Sequence, residues 1–239
     1  GVHGLPSELL GLMELRLDRQ LEAVTESDDV RMVLESLAVL GQAAPEDLVQ
    51  AMLPDPVRTH FERSLAALLT MGVVEMLDHA EPAVLSFTPA LLRDAVLSRI
   101  PWDRMAVCHR RAVGVRMALE APRRRAHWGA VGDHHAALGE MPEATRSWLK
   151  GMYYEVSAGN VVRGVAWGKR AIDHMDPGGP IWAYTTLLVG AMSFDAGESE
   201  TAEALMRAVL ESGDVDSRLQ AGDLLCDLLE NRGDTETWR

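Results

Sequence analysis

A chain of 239 residues, 47 % hydrophobic and 25 % charged, has the composition of a folded globular protein of one or two domains. No apolar run approaches the ~20 residues that span a bilayer, so no membrane partner is expected. The net charge of −13 is uneven: residues 1–100 carry −9, residues 101–175 carry +5 and residues 176–239 carry −9. A nucleic-acid reader concentrates basic residues on its reading module, and that pattern is missing from the first hundred residues.

Residues 5–21 place Leu9, Leu12, Met13, Leu17 and Leu21 on one helical face, with Pro6 and Ser7 at the start. Ser27 and Asp28 suit the cap of a second helix with Val30, Val33, Leu34, Leu37 and Leu40 inward and Gly41 as its stop. Pro45 suits the first turn of a short helix burying Leu48, Val49 and Met52, which Pro54 and Pro56 end. A third helix over 56–70 aligns Phe61, Leu65, Leu68 and Leu69, and Gly72 closes it. Residues 73–77 and 84–87 are short apolar runs joined by 78–82, a hairpin pattern. Three helices and a hairpin predict a winged helix over residues 23–100, behind a leading helix over 1–22.

From Pro89 onward only helices are expected, at 89–100, 101–120, 123–138, 142–157, 160–175, 180–195, 199–212 and 216–231. Their short connections force antiparallel neighbours. A tetratricopeptide unit has 34 residues, with short side chains where its two helices approach. Trp128, Gly132, Gly139, Ala144 and Trp148 fit positions 4, 8, 15, 20 and 24 of such a unit, and Gly190, Gly197, Ala202 and Met206 fit 8, 15, 20 and 24 of another. Gly159, Gly164 and Ala171 fit a third register loosely. The fold class is therefore mainly α: a winged-helix module followed by a tetratricopeptide-like α-superhelix over 101–239.

These residues resemble a family. Leu5-Pro6 before a leucine-rich helix, and Leu37-Ala38-Val39-Leu40-Gly41, look like the segment after the nucleotide-binding core of bacterial STAND-type ATPases. Leu65–Leu69 with Gly72-Val73-Val74 resembles their lead-in to the wing. Residues 87–96, Phe-Thr-Pro-Ala-Leu-Leu-Arg-Asp-Ala-Val, are similar to their "FxHxLLREA" stretch, with Pro89 where the family has histidine. Arg104 and His109 fall near a family "R…LH" pattern. The family includes LuxR-type regulators and the signalling arms of bacterial kinases and cyclases. The resemblance implies an ATPase switch outside this chain, with ATP bound there and no cofactor here. Within the chain, Gly164-Val165-Ala166-Trp167-Gly168-Lys169-Arg170 is one residue short of a P-loop and lacks its Ser/Thr.

Candidate sites are few. Asp133-His134-His135, with His127, is the one metal-like cluster, and His135 points away from the other two histidines; polar residues near a helix end are the expectation. Cys108 and His109 are adjacent in a helix and so do not face each other. Cys108 and Cys226, far apart, read as free thiols in a reducing, cytoplasmic setting. Residues 1–20 lack the pattern of a secretory leader. Arg110, Arg111, Arg116, Arg123, Arg124 and Arg125 form the one concentrated basic stretch, suited to an acidic partner or a nucleotide-bearing module. The aromatics Trp128, Trp148, Tyr153, Tyr154, Trp167, Trp182 and Tyr184 suit either a ligand groove or helix-pair cores, and Trp128, Tyr153, Tyr154 and Trp182 are the partner-binding candidates among them. Trp238 is an expected exposed end. The third helix offers Arg58, His60, Glu62 and Arg63 for DNA, a thin set for phosphate and base contacts. The expectation is a non-enzymatic signalling scaffold that binds a protein or peptide and couples to an ATPase module. The alternative is a transcriptional regulator reading DNA through the winged helix.

Overall fold

The structure is a computed structural model that describes residues 7–22, 24, 27–77 and 82–232. It is mainly helical, and the chain divides into two units, one ending at Ala118 and the other beginning at Leu119. Among the described residues no helix is long and apolar enough to cross a membrane. The expected exposed Trp238 and the loop over 78–81 lie outside the described residues.

The first unit is built around one helix. In α2 (Ser27–Leu40), Val30 and every residue from Val33 to Leu40 are buried. A helix buried nearly all round must have neighbours on every side. It touches α1 (Ser7–Glu22), α3 (Glu46–Met52), α5 (Phe61–Thr70), α6 (Leu92–Leu97) and α7 (Trp102–Met117). Leu17 and Leu21 of α1 are buried, but Leu12 is 64 % exposed, so the leading helix does not bury the whole face read from its leucines. Among the described residues α1 packs chiefly on α6 and α2, and Gln20 donates to the Met71 carbonyl at 3.0 Å.

Between these helices lies a three-stranded antiparallel sheet in the order β1 (Ala43–Pro45), β3 (Val84–Phe87), β2 (Val74–Leu77). The β2–β3 pairing matches the expected hairpin, with Val74 opposite Phe87 and Leu77 opposite Val84. β1 was not expected. Ala44 pairs with Leu85, which is fully buried, and Pro45 ends the strand rather than opening the helix. A three-residue strand is too short for an alternation signal.

Two helical expectations change. The helix read over 56–70 is two elements, α4 (Asp55–Arg58) and α5, because His60 leaves helical geometry at φ −105° and ψ 9°. The helix read over 89–100 shrinks to α6. The first unit also runs past residue 100 through α7. Cys108, Ala112 and Arg116 recur at four-residue spacing and are buried, and α7 lies on α2 and α3.

The second unit is a run of helices: α8 (Ala121–Ala126), α9 (Trp128–Ala137), α10 (Met141–Ser157), α11 (Val161–Ile172), α12 (Pro180–Asp195), α13 (Ser199–Ser212) and α14 (Val215–Arg232). The stretch read as one helix over 123–138 is divided at His127, which ends α8 and precedes α9. Each helix packs on the next in sequence; in addition α8 touches α10 and α12 touches α14.

Three of the turns share one template. Gly139, Gly159 and Gly197 have φ of +77°, +84° and +80°, a region glycine enters without strain. The residue after each donates its backbone N–H five residues back: Glu140 to His135 (2.9 Å), Asn160 to Glu155 (2.8 Å) and Glu198 to Ser193 (2.8 Å). This is the Schellman-type closure of a helix C-terminus. The side chains that cross each pair obey one size rule. A Cβ on Gly132 would lie 2.6 Å from the Trp148 indole nitrogen, and one on Gly190 would lie 2.6 Å from Met206 Cε. In the middle pair the sizes are exchanged: the small residue is Gly168 and the large one Met152, whose Sδ lies 2.9 Å from that Cβ position. Ala144 and Ala202, at matching places after their turns, are fully buried.

Candidate functional site

Helices α10 and α12 come together on one side of the second unit through Tyr153 and Tyr184, which are neighbours. Both rings face outward, 48 % and 59 % exposed, and Ile181 joins them one turn earlier on α12 at 66 %. Burial first, and then Tyr184, hold the Tyr153 phenol above its ordinary value, so it stays a neutral donor at neutral pH. On the α8 side of Tyr153 the surface dips into a hollow of about 330 Å³ lined by Arg125, Trp128, Lys150, Tyr153, Tyr154 and Ser157.

Local sequence explains the hollow. Lys150, Tyr153, Tyr154 and Ser157 are three or four apart and share one face of α10. The break at His127 puts Trp128 at the start of a new helix, beside Arg125 at the end of the last. Lys150 Nζ lies over the Trp128 ring, 4.3 Å from its centroid, a cation–π contact that orients the ammonium. Ser157 donates its hydroxyl to the Tyr153 carbonyl at 2.7 Å and faces any ligand as an acceptor only. No acidic side chain lines the hollow.

The other predicted site residues fall elsewhere. Arg110 and Arg111 are exposed on α7 of the first unit, and Arg123 to Arg125 belong to the second. Arg116 is not a surface residue: it is 4 % exposed, and its guanidinium donates to the Leu40 carbonyl at 3.0 Å. It closes the C-terminus of α2, where a cation is favoured. Trp182 is not a docking residue either; at 7 % exposure it sits in the core with Ile172, Met206 and Leu225. Trp148 is buried too, donating its indole N–H to Asp133 at 3.0 Å. The aromatics therefore divide into core rings and surface rings. Lys150 and Ile181, absent from the sequence-based candidates, belong to the face. The spacing of Lys150 to Tyr153 and Tyr154 was the signal available for the first.

The histidine cluster is dispersed. His134 is buried, His135 Nδ1 lies 2.6 Å from Glu140, and Asp133 serves Trp148 and Arg170. Among the described residues no group of three metal-ligating side chains occurs. In the first unit a smaller pocket of about 170 Å³ is crossed by two ion pairs, Arg99–Asp18 at 2.6 Å and Arg104–Glu35 at 3.1 Å. Desolvation raises the Glu35 carboxyl above its ordinary value, with Arg104 pulling the other way. Residues considered for DNA contact have local work: Arg58 pairs with Asp55 and caps the Leu53 carbonyl, and His60 Nδ1 lies 2.9 Å from Asp29.

No protein-family model, curated protein or solved structure matches the chain.

Proposed function

We propose that this chain is a protein-recognition scaffold of a signalling or regulatory system. In this reading the first unit is a winged-helix module and the second a degenerate tetratricopeptide-like array. The first acts as a rigid coupler to an ATPase switch module, in cis or from a partner, as the STAND-type resemblance implies. The second docks a protein partner. Binding then shifts the switch only by its unequal affinity for the two switch states. ATP, in this account, belongs to the switch module.

The observation that carries the reading is the open aromatic face of α10 and α12. Tyr153, Tyr184 and Ile181 are large, contiguous and uncovered, beside a hollow with oriented polar groups. Tyrosine and tryptophan are the side chains most often found as interface anchors, because they offer much area for little rotamer entropy. DNA is the weaker partner, since Arg58 and His60 are tied to Asp55 and Asp29.

The test is a paired substitution. With Tyr153→Ala and Tyr184→Ala, the chain keeps its far-ultraviolet circular dichroism and loses the protein that co-purifies with the unaltered chain from its source cells. Retention of that same partner by the doubly substituted chain contradicts the reading.

A further inference from the structure

Five cations in the second unit are closed on carboxylates. Arg146 pairs with Glu143 at 2.6 Å, Arg163 with Glu155 at 3.2 Å, Lys169 with Glu198 at 2.7 Å and Arg207 with Glu203 at 2.7 Å, and Arg170 pairs with Asp133. Arg125 and Lys150 are not, and they differ from the other cations without a carboxylate, such as Arg124 and Arg218, in lining one hollow together. Both are exposed, both line the hollow, and neither meets a carboxylate among the described residues. In a chain with 36 acidic and 23 basic residues, two neighbouring cations left without acids are complementary to an anion from outside.

Resting on the protein-recognition reading above, we propose that the hollow takes a carboxylate-bearing segment of the partner protein. A partner Asp or Glu accepts from Lys150 Nζ and the Arg125 guanidinium, and an apolar side chain beside it lies along Tyr153 and Tyr184. The Trp128 ring holds the ammonium in place before the partner arrives, which lowers the entropic cost of forming the ion pair. Tyrosine rings and two cations also suit a single-stranded nucleic acid. A polyanion, however, needs a track of phosphate contacts, and the residues beyond 175 carry a net charge of −9. A short acidic stretch flanked by apolar residues meets the two cations without running onto that acidic surface.

The experiment pans a random-sequence displayed peptide library against this chain, with Lys150→Met and Arg125→Gln as parallel baits and a labelled ten-nucleotide oligothymidine as a competitor. The expected result is enrichment of segments with one or two Asp or Glu next to Leu, Ile or Phe. Synthetic versions should bind at least fivefold more weakly to either variant, and fivefold more weakly when Asp and Glu become Asn and Gln. Both variants should melt as the unaltered chain does, since both side chains are exposed. Three results overturn the proposal: no enrichment, enrichment of neutral or basic segments, or oligothymidine that binds and displaces the acidic peptides. Neutral segments that depend on Tyr153 and Tyr184 would leave the protein-recognition reading in place and remove only this assignment of partner chemistry.

Discussion

Gly168 lies against Met152 where Gly132 lies against Trp148, with the large and small partners exchanged between the two helices, and Val189 of α12 also packs on Gly168. The pairs occupy matching places about their turns, at Gly159 and Gly139. What repeats is thus a combined volume at a crossing point, filled from either side. Helix axes approach closely only where one partner lacks a side chain, so each glycine sets a local interhelical distance.

Glycine removal from the helices should therefore depend on place. Gly132→Ala forces a methyl into the Trp148 indole, and overpacking of this kind costs about 1–3 kcal/mol. Helix propensity alone would return up to about 1 kcal/mol. A net loss of stability is expected. Gly114→Ala in α7, where a Cβ meets nothing within 4 Å, should be neutral or stabilising by up to about 1 kcal/mol. Urea unfolding of both variants checks this; a Gly132→Ala protein as stable as the parent removes the close-approach account.

Larger insertions test the turn template. Ala144→Trp and Ala202→Trp place an indole where no surface is exposed, and each should lower the melting temperature by several degrees or more. Parent-like melting in both would mean that neither alanine sits where two helices approach closely.

Arg116 is a structural cation. Arg116→Met keeps much of its aliphatic volume but leaves the buried Leu40 carbonyl without its donor. A hydrogen bond to a charged group is worth about 1.5–3 kcal/mol, so a loss of that order is expected by chemical denaturation. Arg110→Met, on the exposed face of the same helix, should change stability by less than about 0.5 kcal/mol. Equal effects of the two substitutions would contradict the burial seen here.

Glu35 gives the first unit a pH signature. Its carboxyl is raised in the folded state, chiefly by desolvation and against the pull of Arg104. The folded protein thus holds that proton more tightly than the unfolded chain does. The contribution is fully present below the unfolded value and is lost as pH rises through the raised folded value. Glu35→Gln removes the titration. Its stability relative to the parent should climb as pH increases from about 4 through the raised folded value. Urea midpoints for both proteins across this range measure it, and a constant difference would show that burial of the charge is not what Glu35 feels.

Part of this was legible in the residues. The central helix announced itself through Val30, Val33, Leu34 and Leu37, and the hairpin through two apolar runs, because burial on one face leaves a period. Spacing marked Gly132, Trp148, Gly190 and Met206 as positions about two turn glycines, but not that each glycine meets the large residue across its turn. The middle hairpin fitted loosely because Met152 and Gly168 exchange sizes, and a pattern written in small residues at fixed places does not see an exchange. β1 was invisible at three residues. Arg116 looked like its basic neighbours because sequence carries no sign of which side of α7 meets α2. Trp182 and Tyr184 differ by two positions, enough to turn one ring into the core and the other to solvent. The candidate face needed Tyr153 of α10 beside Tyr184 of α12, 31 positions on, which no local pattern encodes.

The central claim is that the α10–α12 face docks a protein, and a photo-crosslinker in place of Tyr184 probes it most directly. Introduced there in source cells and irradiated, it should yield one discrete protein adduct; the same group in place of Val162, equally exposed on α11 at 65 %, should not. No adduct at position 184, or the same adduct from both positions, would contradict the account.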